Sequence, residues 1–299
     1  MGRRERLPHT WTGETACPTF RHRYAPLRER IPDRRNRLSY LVFEAEYNGG
    51  MKSSNPVLSE ATYAGSAVHV GYGPTMTISG TVNKAGILML LVLLSAAYTW
   101  NQFFNTRDIA SMGGYTMIGA FGGFIVAMVT VFKKEWSPIT APIYALLEGL
   151  FLGALSATME LRFPGIAIES VALTFGTCFC LLMVYRAGII RATPNFTRGI
   201  IAATGGIALV YLITMVLSLF HVQVPGIFGG GPIGILFSLA VVTVAALNLI
   251  LDFNMIEEGA RRNAPKYMEW YSAFGLMVTL VWLYLEIVRL LAKLRDDRR

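Results

Sequence analysis

Apolar residues along this chain gather into seven stretches long enough to cross a bilayer, near 83–104, 112–132, 138–159, 167–186, 199–220, 233–253 and 270–292. A helix needs about 20 consecutive apolar residues to cross a hydrocarbon core about 30 Å thick. The stretches are continuous rather than alternating, which predicts helices and not strands. Short polar connections separate them, none long enough to fold by itself. The pattern predicts an all-α polytopic membrane protein, a seven-helix transmembrane bundle over residues 82–294.

Composition supports that reading: 53% of the 299 residues are hydrophobic and 15% charged, too apolar for an ordinary soluble domain. The first fifty residues are different. They hold ten arginines, no lysine, several prolines and no apolar run. They cannot be a signal peptide, and they read as a disordered leader. Met51-Lys52-Ser53-Ser54-Asn55-Pro56 looks like a protein start, so residues 1–50 are expected to lie upstream of the translated chain. The rival reading is a basic arm on anionic lipid. Nucleic acid is not expected as a partner, because the basic run has no fold or aromatic platform. Residues 51–81 read as a polar cytosolic lead-in, with His69 incidental, and residues 295–299 as a basic tail.

Loop charge sets the orientation. Lys133, Lys134, Arg186, Arg191, Arg198, Arg261, Arg262 and Lys266 follow even-numbered spans, against Arg107 and Arg162 after odd ones. Cations collect on the cytosolic side, which predicts a multi-pass cell-membrane protein with its N-terminus inside. The last segment conflicts with this count. Seven crossings put Arg289, Lys293, Arg295, Arg298 and Arg299 outside, so either the tail is translocated or the last segment is re-entrant.

Small-residue pairs, Gly119 with Gly123 and Gly149 with Gly153, predict close helix packing. Pro142 falls in the first turns of the third span, where its missing N–H costs little, and Pro265 fits the first turn of the last helix. Trp270 and Tyr271 suit a membrane interface, Trp282 and Tyr284 packing. His221, ending the fifth span, reads as an interface residue. Cys178 and Cys180 point about 200° apart on a helix, which favours packing over metal binding; Cys17 stands alone in the leader. Gly229-Gly230-Gly231 lacks the Lys-Ser/Thr of a phosphate cradle.

Three carboxylates lie within the apolar stretches: Glu148, Asp252 and Glu286. An ionisable group at a helix centre costs roughly 2.5–3.5 kcal/mol on insertion scales, so it marks a functional site by default. Asn248, one turn before Asp252, is a supporting polar group, as are Glu257 and Glu258 at the end of the sixth span. Two carboxylates sharing a site can share a proton. Losing it sets like charges side by side and draws in a cation or parts the helices. Such a pair makes a pH-sensitive gate. A hairpin turn at 262–265 offsets Asp252 and Glu286 by roughly 15 Å along the axis, and a later turn removes the offset. Glu148 falls close to the level of Asp252, so Asp252 has two candidate partners. No hydrolase, protease or retinal signature is present, no cofactor is implied, and no metal cage is visible. An enzyme is not expected.

Seven spans with short loops, Tyr144-Ala145-Leu146-Leu147-Glu148-Gly149-Leu150-Phe151-Leu152-Gly153, an Asp ending the sixth apolar run, and Leu283-Tyr284-Leu285-Glu286-Ile287-Val288 together resemble the Bax inhibitor-1 (transmembrane Bax inhibitor motif) family. The resemblance implies a calcium or cation leak governed by an acidic pair on the last two helices, here Asp252 with Glu286. The chain departs from the family pattern in carrying Glu at the last acid and in the longer 252–286 separation. The expected function is therefore a pH-sensitive Ca²⁺ or cation leak in the lipid bilayer. Its alternatives are a non-conducting regulator binding other membrane proteins and a proton-coupled transporter.

Overall fold

The computed structural model describes residues 74–106, 109–220 and 229–296. The chain divides into two units, Met1–Asn48 and Gly49–Arg299, and the described residues all belong to the second. The leader, the start at Met51, His69, His221 and the last three residues of the tail lie outside them.

Among the described residues seven α-helices follow in order: α1 Ile78–Thr106, α2 Ile109–Phe132, α3 Ser137–Arg162, α4 Ile166–Arg186, α5 Pro194–Leu219, α6 Pro232–Arg261 and α7 Met268–Asp296. Each contains a segment long and apolar enough to cross a membrane. Most run a few residues beyond the apolar stretch, because a helix satisfies its own backbone past the point where its side chains become polar. Thr193 caps α5, its hydroxyl accepting from the Phe196 N–H at 3.3 Å, and prolines open α5 and α6, where the missing N–H is harmless. Within the spans, hydroxyls donate to carbonyls one turn back, as Thr130 does to Val126, Ser170 to Ile166 and Thr243 to Leu239. That local bond lets a polar side chain sit in hydrocarbon.

Helix α7 is the axis of the bundle, packed by α1, α3, α4 and α6, while α2 lies against α1 and α3 and α5 against α6. Both glycine pairs do pack helices. A Cβ on Gly153 would stand 2.5 Å from the Ala96 carbonyl oxygen on α1, and one on Gly119 2.7 Å from the Leu147 carbonyl oxygen on α3. Helix α3 is therefore clasped on two sides at backbone distance.

One end of the bundle, the near end, joins the starts of α1, α3 and α7 to the α6–α7 turn. The Met76 N–H donates to Ala264 O at 2.7 Å, and Ser137 Oγ to Tyr267 O at 3.0 Å. Asn263 makes that turn at φ 52°, one of the few non-glycine residue types at ease there. Pro265 stands in the turn, bridged to Thr75, and α7 starts three residues later at Met268, not at the proline. Tyr271 is buried rather than interfacial, packed toward Phe274.

At the far end α7 finishes beside the α3–α4 turn. Arg295 donates to Phe163 O and Pro164 O and pairs with Glu169 at 2.8 Å, while Arg162 pairs with Asp296 at 3.1 Å. So α7 runs unbroken from one end of the bundle to the other. Its terminal cations are partly balanced by acids, whereas the cations of the even-span loops gather at the near end.

Candidate functional site

Two sets of contacts fix the levels of the candidate acids against α7. Helix α6 runs antiparallel to it: Lys293 Nζ donates to Gly234 O at 3.0 Å and to Ser238 Oγ at 2.9 Å. Leu249 and Phe253 share a core with Leu280 and Leu283. Counting along both helices from these contacts, Asp252 stands level with about residue 277, and Glu286 lies roughly nine residues, or about 13 Å, farther toward the far end. The Asp252–Glu286 pair expected from the resemblance is thus not a contact pair here. The turn falls where the larger axial offset was anticipated.

Helix α3 runs parallel to α7. The Tyr144 and Phe274 rings meet edge to face at 5.0 Å, and Ser156 Oγ and Tyr284 Oη lie 2.6 Å apart. By that register Glu148 is level with about residue 278, the level of Asp252. Asp252 is 0% exposed and Glu148 8%. They sit on two different helices, both packed against α7. Glu148 interacts with Tyr144 one turn back and faces α2, where a Cβ on Gly123 would stand 3.3 Å from its Oε2. Asp252 lies within electrostatic reach of Cys178 on α4.

Glu286, 2% exposed, holds a different set of partners. Tyr211 Oη on α5 donates to its Oε1 at 2.9 Å, and Arg289 Nη1 reaches both carboxylate oxygens at 3.0 and 3.1 Å. Arg289 also lies over the Tyr211 ring, 5.1 Å from its centre. This acid is paired with a cation, a different chemistry from a proton-sharing carboxylate. Asn248 is buried and donates to Thr204 Oγ1 on α5 and Val244 O, both at 2.9 Å. Glu257 accepts from Tyr185 Oη at 2.7 Å and pairs with Arg261; Glu258 pairs with Arg262 at 2.7 Å. Those two acids sit at the near end, on the turns α6 adds beyond its apolar run. Among the described residues no three His, Cys, Asp or Glu side chains converge as metal ligands.

The profile of a family described as Bax inhibitor 1 like matches residues 40–296. The chain belongs to that family. The match covers all seven helices and begins inside the stretch read as a leader. No curated protein and no solved structure matches the chain.

In this Bax inhibitor-1-like protein a buried, heavily bonded acid went unread in the sequence. Glu269, in the first turn of α7, is 0% exposed. It accepts from the Thr77 N–H at 2.9 Å, Thr77 Oγ1 at 2.8 Å and Lys266 Nζ at 2.7 Å, and it pairs with Lys84. Gly80 on α1 gives it room, since any Cβ there would overlap the carboxylate. Lys84 also lies over the Trp270 ring at 5.6 Å. An acid at a helix N-terminus with a lysine three residues before it is a visible signal; Thr77 and Lys84, nearly two hundred residues away, are not. Buried Lys293 was likewise legible only as the last lysine of the span. The polar groups thus fall into three levels around α7: a near-end clamp at Glu269, a mid-bundle level with Glu148 and Asp252, and a far-half cluster of Glu286, Arg289 and Lys293.

Proposed function

We propose that this protein is a pH-sensitive leak for Ca²⁺ or a similar cation in the cell membrane, with its N-terminus cytosolic, and that Asp252 and Glu148 are its titrating acids. One observation carries the reading: two buried carboxylates stand at one level on either side of the central helix. Protonated, both are neutral and compatible with apolar packing around α7. Deprotonated, they put negative charge on two flanks of the same helix in a low-dielectric interior. That charge is relieved by a cation entering beside α7 or by the neighbouring helices giving way. With α7 filling the axis, the packed bundle is the closed state. Glu286 serves as a fixed charge paired with Arg289 rather than as a titrating partner. Asn248 orients the turn that carries Asp252, and Glu257 and Glu258 belong to the near-end mouth.

The test is flux into liposomes loaded with a calcium dye, recorded from about pH 6 to 8, because burial and a neighbouring charge decide where a carboxylate releases its proton. Wild type is compared with Asp252→Asn, Glu148→Gln and Glu286→Gln. Influx should rise with pH in the wild type, depend on pH less steeply in Asp252→Asn and in Glu148→Gln, and become flat when both are changed. Influx that is flat with pH in every protein, or unaltered by Asp252→Asn, overturns the reading. Saturable, substrate-dependent flux would indicate the proton-coupled transporter instead.

The non-conducting regulator keeps one supporting observation. Helix α5 is the least buried of the seven, and Gly199, Gly205 and Gly206 on it meet no neighbouring atoms. A membrane-protein partner could seat there. A pull-down from detergent extracts that depends on Gly205 and Gly206, together with absent flux, would favour it.

A further inference from the structure

In the far half of the bundle α1, α3, α4 and α7 enclose a cavity of about 340 Å³, within the size range of ligand pockets. Its lining on α1 runs from Met89 to Trp100, about 16 Å at 1.5 Å per residue and so close to the depth of one leaflet. Small side chains make the room: Ala96, Ala97 and Gly153 on one side face Ala167 on the other. Three hydroxyls reach the wall, and all are engaged. Thr174 donates to Ser170 O, and Ser156 is bonded to both Leu152 O and the Tyr284 hydroxyl. No charged residue lines the space, and beyond the engaged hydroxyls only the Trp100 indole can offer a polar group, so a polar solute finds little there to replace its water.

The cavity is not sealed. Leu93 on α1 and Ile168 and Phe175 on α4 line it and are themselves exposed, so it opens sideways at the depth of the spans, where the surroundings are lipid tails. An empty apolar space beside fluid hydrocarbon forfeits the dispersion contacts that a chain of methylenes would supply. We infer that one acyl chain of a bilayer phospholipid occupies this cavity, entering from the far-end leaflet between α1 and α4, with Trp100 near its head-group end.

The experiment uses the full chain in nanodiscs doped with a phosphatidylcholine carrying a photoreactive diazirine on its acyl chain, with adducts mapped by mass spectrometry. Adducts should concentrate on Leu93, Ala97, Ile168 and Phe175, about fivefold over Leu209 and Leu212 on the lipid face of α5, a preference worth about 1 kcal/mol. Val171→Trp, which fills the cavity from α4, should remove most of that excess, while Leu209→Trp leaves it intact. Ala97→Phe, placed at the rim, serves where Val171→Trp fails to fold. Equal labelling of α1, α4 and α5, or an excess that survives a folded cavity-filling variant, overturns the inference.

Discussion

Glu148 on α3 and Asp252 on α6 stand at one level of the bundle with α7 between them. Their separation by a packed helix predicts that they act independently rather than as one coupled dyad. Asp252→Asn and Glu148→Gln should therefore combine nearly additively in the logarithm of the calcium flux, as changes on separate elements of a bundle do. A double variant no different from the stronger single one would place both acids in one site and contradict the register.

Glu286 should behave as half of an ion pair. Glu286→Gln leaves Arg289 facing a neutral amide and should destabilise the protein by about 1.5–3 kcal/mol, the worth of a hydrogen bond to a charged group. Arg289→Met combined with Glu286→Gln should recover part of that loss. Thermal unfolding in detergent reads both; a neutral Glu286→Gln would mean the pair contributes nothing.

The clamp at Glu269 should matter more. This acid is fully buried and meets Lys84, Lys266 and Thr77, so Glu269→Ala strands the largely buried Lys84 against the first turn of α7, while the half-exposed Lys266 turns to water. A loss of about 3–5 kcal/mol is expected, as for other buried pairs deprived of one partner. Lys84→Met in the same background should soften it. Limited proteolysis near residue 264 gives a second readout, because losing the clamp frees the strap at Thr75–Thr77 from the α6–α7 turn.

Gly153→Val should part α1 from α3, since the added Cβ would meet the Ala96 backbone; overpacking of this kind costs about 1–3 kcal/mol or more. Gly176→Ala on α4, where nothing lies within 4 Å of the added Cβ, should be neutral or slightly stabilising through helix propensity. Equal melting losses at the two positions would rule out backbone contact as the cause.

Topology offers a direct check. Because α7 runs unbroken from Met268 to Asp296, single cysteines at Asn263 and Asp296, in a background without Cys17, Cys178 and Cys180, should react with a membrane-impermeant maleimide from opposite faces of a sealed vesicle. Labelling from one face would mean that α7 does not cross.

The seven helices, their order and the charge asymmetry between even and odd loops were all legible in the chain. Hydrocarbon imposes a length and an apolarity on every span, and those are properties of local sequence. The same rule exposed Glu148, Asp252 and Glu286 as costly residues, and the glycine pairs announced close packing without naming the partner helix. Which acids face each other was not legible, because it depends on where the α6–α7 turn falls: a shift of a few residues in the turn moves Glu286 by more than a helical turn relative to Asp252. Glu269 was hidden for a related reason. Its partners come from the start of α1, and a carboxylate beside a charged loop reads as solvated until tertiary packing closes over it. Sequence by itself determined the membrane, the helix count and the presence of intramembrane acids. Tertiary structure alone decided that α7 is the axis, that Asp252 and Glu148 share a level while Glu286 is neutralised by Arg289, and that a lipid-facing cavity lies between α1 and α4. Those are matters of register and rotation, which apolar periodicity leaves free when nearly every face of a helix is apolar.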